Sequence, residues 1–159
     1  TMGNAERTAL FAGSFNPFTI GHESVVRRAL CLCERVVIAV GHNIDKGHAG
    51  DIAGRVRRIA DVFLDEPRVS VSEYTGLTVD FARRIGADFM VRGVRTVADY
   101  EYERNLADVN LAISGIETVF IPALPQLSFV SSSMVRELQA NGHNVSQYLP
   151  SPASGINQL

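Results

Sequence analysis

The chain alternates short unbroken apolar runs with longer stretches whose apolar positions recur at helical spacing. "TALFA" (8–12), "RVVIAV" (35–40), "DFMVRG" (88–93) and "TVFIPAL" (118–124) read as strands. Apolar runs without polar alternation are the pattern of strands covered on both faces. "RVSVSEY" (68–74) does alternate and predicts a strand nearer a sheet edge. In "HESVVRRALCLC" (22–33), Val25, Val26, Ala29, Leu30 and Cys33 share one helical face. Helices are also predicted through 55–64, 78–86, 98–114 and 131–142, with glycines stopping the second and the last. Within 98–114, Ala98, Tyr102, Leu106, Val109 and Ile113 form an apolar stripe, while Asp99, Glu103 and Asn110 fall on a different one.

Strand and helix thus alternate about five times with short connections, which predicts βαβ units. The expected fold is α/β: a single doubly wound, Rossmann-like domain over residues 1–159, with a five-stranded parallel sheet and helices on both faces. Residues 1–7 and 151–159 are polar or rich in Pro, Ser and Gly and are expected to be flexible ends. In such sheets ligands bind beyond the carboxyl ends of the strands, where strand order reverses. Three connections there carry chemistry: 13–22, 41–50 and 92–99.

Composition narrows the partners. A net charge of −2 over 159 residues gives no global attraction to nucleic acid or acidic membranes. A polyanion must therefore be held by a local basic cluster. No apolar run approaches ~18 residues, which argues against a membrane span. The start of the chain lacks an apolar leader, so a cytoplasmic protein is expected. The two cysteines, Cys31 and Cys33, point to different sides of a helix and predict neither a disulfide framework nor a zinc site.

"FAGSFNPFTIGH" (11–22) brings Ser14 and His22 to a turn that opens a helix. Backbone N–H groups and the helix dipole favour an anion there. A histidine at that point donates to a phosphate oxygen without a bulky charge. The residues alone leave a turn and a site equally open. "FVSSSMVRELQ" (129–139) sets three serines before a second helix, where one would suffice as a cap. In "VRGVRTVADYEYERNLADVN" (91–110), Arg92 and Arg95 flank Gly93 and offer two planar forks of donors to anionic oxygens.

"TIGH" (19–22) and "VSSSMVR" (130–136) are similar to the two signatures of the nucleotidyltransferase superfamily. With "LTVDFAR" (77–83), "RGVRTVADYEYE" (92–103) and the loop around Lys46, the chain resembles the bacterial phosphopantetheine adenylyltransferases from about Ala9 to Pro150. The resemblance implies transfer of the adenylyl group of ATP to 4′-phosphopantetheine, giving dephospho-coenzyme A and pyrophosphate. It implies that Ser14, Lys46, Thr78 and Arg92 hold the acceptor. Ser14, Phe15, His22, Gly93, Val94, Arg95, Glu103 and Leu127, Ser128, Phe129, Val130, Ser131, Ser132 and Ser133 match positions that hold ATP. His22, Lys46 and Arg95 are the expected catalytic residues, and Arg136 is expected near the departing pyrophosphate.

Mg²⁺ would be carried by the nucleotide phosphates rather than by a protein cage, so no metal ligands are assigned. Coenzyme A or dephospho-coenzyme A is implied as a product or feedback ligand, and a homohexamer as the assembly. Neither nucleic acid nor membrane is an expected partner. The alternatives are a related enzyme with another acceptor, nicotinate mononucleotide or glycerol phosphate, and a non-catalytic nucleotide or coenzyme A sensor. Family members carry Thr and Asp where Ser14 and Asn16 stand, a Thr-x-Glu-x-Arg helix start where this chain has "GDIAGR" (50–55), and an aromatic residue near Leu127. In that last helix start Asp51 is the expected cap and Gly54 weakens the first turn.

Overall fold

The computed structural model describes residues 5–42 and 50–153. Five strands, β1 (Thr8–Gly13), β2 (Arg35–Gly41), β3 (Val69–Tyr74), β4 (Phe89–Val94) and β5 (Glu117–Pro122), form one parallel sheet in the order β3-β2-β1-β4-β5. The connecting helices are α1 (Ile20–Ala29), α2 (Ile52–Val62), α3 (Thr78–Arg84) and α4 (Val97–Ser114), with α5 (Ser132–Ala140) after the last strand. The expected fold is thus observed. Strand order reverses between β1 and β4, so the ligand crevice is expected at their carboxyl ends.

Alternation along β1 shows how both faces are filled. Ala9 and Phe11 join a core with Phe15, Phe18, Val25, Val26 and Ile59, against α1 and α2. Leu10 and Ala12 point the other way, into a second core with Val79, Ala82 and Met90 against α3. The β1–β4 ladder pairs only Ala9 with Phe89 and Leu10 with Met90. Beyond these the two strands part, and the crevice opens there.

Three local differences from the sequence reading bear on the site. Helix α1 starts before His22, because Thr19 caps it, and stops at Ala29 so that the chain can turn into β2. Cys33 lies past that helix, buried, with its thiol donating to Ala29 O and Arg35 O, whereas Cys31 is exposed. Helix α2 likewise starts earlier, at Ile52, capped by the Asp51 carboxylate on the Gly54 N–H at 2.8 Å.

The third difference is in α4. Its apolar stripe faces outward: Tyr102, Val109 and Ile113 are 65%, 57% and 52% exposed. The face turned inward carries Asp99, Glu103, Ala107, Asn110 and Ser114, and Glu103 is the one buried residue of the helix. A carboxylate tolerates such burial only when paired and hydrogen-bonded, and Arg92 supplies both.

Candidate active site

A cleft of about 350 Å³ lies at the carboxyl ends of β1 and β4. The turn after β1, the start of α1, the end of β4 and the start of α5 all contribute to it. Of the residues named from sequence, it brings together Ser14, Phe15, His22, Arg92, Gly93, Val94, Arg95, Glu103, Leu127, Val130, Ser131, Ser132 and Ser133, with Arg136. Ser128 and Phe129 are not among its lining; Phe129 is 57% exposed and packs edge-on against Tyr148. Thr78 opens α3 and borders a neighbouring cleft of about 160 Å³ that shares Ala12, Gly13, Arg92 and Glu103 with the first. Its hydroxyl is 2.8 Å from that of Tyr74. Lys46 and the neighbouring His48 lie outside the described residues.

His22 is fixed by the way its helix begins. Thr19 takes extended backbone, and its hydroxyl accepts from the His22 N–H at 3.4 Å. Reciprocally, the Thr19 N–H donates to His22 Nδ1 at 2.8 Å. An acceptor cannot be protonated, so the imidazole carries its proton on Nε2, on the side of the ring away from the cap. Phe15 meets the ring edge-on and Phe18 stacks on it, with centroids 5.1 and 5.2 Å away. Burial, and then the positive charges of Arg92 and Arg95, lower the His22 pKa from 6.5 to about 3. His22 is therefore a neutral N–H donor at the edge of an anion-sized cleft. The cap was readable, since Thr19 stands three positions before His22, but its consequence for the tautomer was not.

The two arginines are held by carboxylates. Arg92 Nε and Nη2 donate to the two Glu103 oxygens at 2.9 and 2.7 Å, and its Nη1 donates to Ala12 O. Arg92 thus occupies the gap where the β1–β4 ladder stops. Arg95 Nε lies 3.2 Å from Asp99 Oδ2, which also accepts from the Arg95 N–H. Thr96 caps α4 through the Asp99 N–H. Glu103, expected to hold ATP, has both oxygens on Arg92 in this structure, while Asp99, which sequence had placed only on a stripe, borders the cleft.

The serines divide their tasks. Ser131 caps α5 through the Met134 N–H at 3.1 Å, and its hydroxyl lies 3.2 Å from that of Ser133. Ser132 donates to Pro17 O at 2.8 Å, and Arg136 donates to Asn16 O. So α1 and α5 both start at the cleft, with helix dipoles that favour an anion between them.

The cytidylyltransferase-like family model matches residues 10–138, which run from within β1 to within α5. The chain is a member of that class. Among solved structures, it is similar to the bifunctional NMN adenylyltransferase/ADP ribose pyrophosphatase of Francisella tularensis complexed with AMP and a manganese ion. That likeness has a TM-score of 0.66 and 16% identity over 92% of this chain and 45% of the other, which speaks for the fold. Curated relatives are much nearer. A phosphopantetheine adenylyltransferase of Bacteroides fragilis is 47% identical over 144 residues, 91% of this chain and 96% of that protein. One of Phocaeicola vulgatus is 49% identical over 91% of this chain and 95% of that protein. The chain belongs to the phosphopantetheine adenylyltransferase family.

Proposed function

We propose that the chain transfers the adenylyl group of ATP to 4′-phosphopantetheine, giving dephospho-coenzyme A and pyrophosphate in the synthesis of coenzyme A. The observation that carries this reading is the cleft itself. A neutral imidazole donor, two carboxylate-held guanidinium groups and two helix N-termini border one space at the switch point of the sheet. An acceptor phosphate is already an anionic nucleophile, so the chemistry needs no general base and no covalent enzyme intermediate. One oxygen of that phosphate forms a bond to the α-phosphorus of ATP, and the α–β P–O bond breaks to release pyrophosphate. What remains for the protein is alignment and the stabilisation of charge as the α-phosphate becomes five-coordinate.

In this assignment His22 Nε2–H and Arg95 stabilise the α-phosphate oxygens and the leaving group, with Lys46 as a further cation. Ser14, Arg92, Lys46 and Thr78 hold the acceptor; Ser14 lines the main cleft, Thr78 the neighbouring one, and Arg92 both. Phe15, Gly93, Val94, Glu103 and the stretch from Leu127 to Ser133 hold ATP. A donor set of imidazole, guanidinium, hydroxyl and backbone N–H suits phosphate oxygens. Among the described residues no group of three or more His, Cys, Asp or Glu gathers around a metal position. In this reading Mg²⁺ is carried by the triphosphate, where it neutralises charge. Dephospho-coenzyme A or coenzyme A would occupy the same pair of clefts as product or regulator.

The exposed apolar face of α4, from Val97 through Tyr102 to Ile113, supports self-association, with a homohexamer as the assembly. Among the described residues no helix is long and apolar enough to cross a membrane. The test is pyrophosphate release with ATP and each acceptor in turn. Turnover with 4′-phosphopantetheine and none with nicotinate mononucleotide is expected; the reverse pattern refutes the acceptor, and no turnover with any acceptor refutes the enzyme.

A further inference from the structure

The turn between β1 and α1 is held by side chains that reach its carbonyls from far along the chain. Arg55 Nη1 donates to Ser14 O at 2.9 Å, Arg136 Nη1 to Asn16 O, and Ser132 Oγ to Pro17 O at 2.8 Å. The turn needs such a grip, because Phe15 sits at φ 46°, a region disfavoured for a bulky residue. Arg55 differs from its two companions. Arg136 is exposed and Ser132 is neutral, whereas Arg55 is a charged side chain only 7% exposed. A guanidinium withdrawn so far from water is costly unless its donors are used.

Its position also matters. Arg55 does not line the main cleft; it borders a separate small one behind the turn, with Pro17, Phe18 and Leu149. Among the described residues, its link to the main cleft is the backbone it holds. That backbone is the Ser14–Phe15 peptide, which is trans. In a trans peptide the C=O and N–H point in opposite directions. Holding the Ser14 carbonyl from behind turns the Phe15 N–H away from Arg55 and sets where the Ser14 side chain leaves the backbone.

We propose that Arg55 is a positioning residue for nucleotidyl transfer, fixing the Ser14–Phe15 peptide plane against which the phosphates align. The role it gives Ser14 rests on the reading of the site under Proposed function. A misplacement of about 1 Å in a positioning group costs up to roughly a hundredfold in rate. Arg55→Met, which keeps volume and removes the donors, is expected to lower kcat/KM for 4′-phosphopantetheine roughly ten- to a hundredfold. Arg55→Lys, with one ammonium able to meet the carbonyl, recovers part of the loss.

Combined with Ser14→Ala, Arg55→Met should cost little more than the worse single variant, because both act through one residue. Losses that multiply independently, or an Arg55→Met enzyme as active as wild type, overturn the proposal. Hydrogen exchange needs no substrate and tests Arg55 even if the acceptor is wrong. Amides of residues 13–18 should exchange faster in Arg55→Met while those of 8–12 stay protected, and unchanged exchange at 13–18 refutes the grip. Should the Met variant fail to fold, Arg55→Lys and Arg55→Gln carry the same comparison. Wild-type turnover with 4′-phosphopantetheine separately tests the acceptor reading.

Discussion

Replacing His22 by glutamine separates its two duties, since Gln at the third helical position can keep the reciprocal cap with Thr19 that imidazole now makes. What it cannot keep is the donor on the far side of the ring, or the titration. The folded imidazole has a pKa of about 3 against 6.5 for the free side chain. Between those values the unfolded chain binds the extra proton and the folded chain does not, so stability is full above 6.5 and falls as pH is lowered. From about pH 7.5 to about pH 4.5 the His22 contribution amounts to at most about 3 kcal/mol. The ring is partly open to water in the cleft, which reduces this to roughly 1–2 kcal/mol. Urea unfolding of both proteins at the two pH values measures it: wild type should lose more stability than His22→Gln by that amount. In the same variant turnover should fall roughly a hundred- to a thousandfold, the cost of one preorganised donor, while ATP still binds. Equal pH dependence in the two proteins would show that His22 is not held neutral by the fold. Turnover within a few-fold of wild type would falsify the donor assignment.

Glu103→Gln leaves Arg92 facing an amide with one acceptor in place of a bidentate carboxylate. Breaking a buried pair costs about 3–5 kcal/mol, and Arg92 is about a third exposed, so a loss of about 2 kcal/mol is expected. A thermal scan should show a midpoint lower by roughly 4–8 °C, and an unchanged midpoint would mean that the pair holds nothing together. Gly93→Ala puts a Cβ 2.9 Å from Val25 Cγ2, on the helix that carries His22. Overpacking of this kind costs about 1–3 kcal/mol; turnover should drop with it, and a fully active variant would show that α1 yields without moving His22. Val109→Glu places a charge on the outward face of α4, where it disturbs no core. Light scattering should report a smaller particle with an unchanged circular dichroism spectrum; an unchanged mass would remove α4 from the self-association surface.

The sheet was legible because four of its strands are mostly apolar runs and β3 alternates at strand period, and the glycine stops made α3 and α5 plain. Residues that meet through the chain's local order were legible too: His22 at its helix start, the serines at theirs, Arg92 and Arg95 astride Gly93. What escaped the sequence is partnership across distance. Arg55, read only as part of a helix start, is tied to Ser14, 41 positions away. Glu103 was correctly set apart from the apolar stripe of α4, yet which stripe faces the sheet depended on Arg92 arriving beneath it. Periodicity locates a helix face and cannot say whether an apolar face covers a core or awaits a neighbouring chain.

The pairing of the arginines also explains how a slightly acidic protein can receive two highly charged substrates. Arg92 is matched by Glu103 and Arg95 by Asp99, so neither presents a bare charge to the cleft. Long-range attraction from these two is consequently weak, and they serve recognition as donors that are already oriented. Arg92 was brought into place by a backbone need: β1 and β4 part after Leu10 and Met90, and its guanidinium takes Ala12 O where the ladder ends. The divergence that opens the crevice thus also fixes the cation within it. Oriented donors in a partly dry site stabilise charge as it develops, without reorganising at the moment of reaction. That is the stronger device here, because a free surface cation would be screened within about 8 Å at physiological salt.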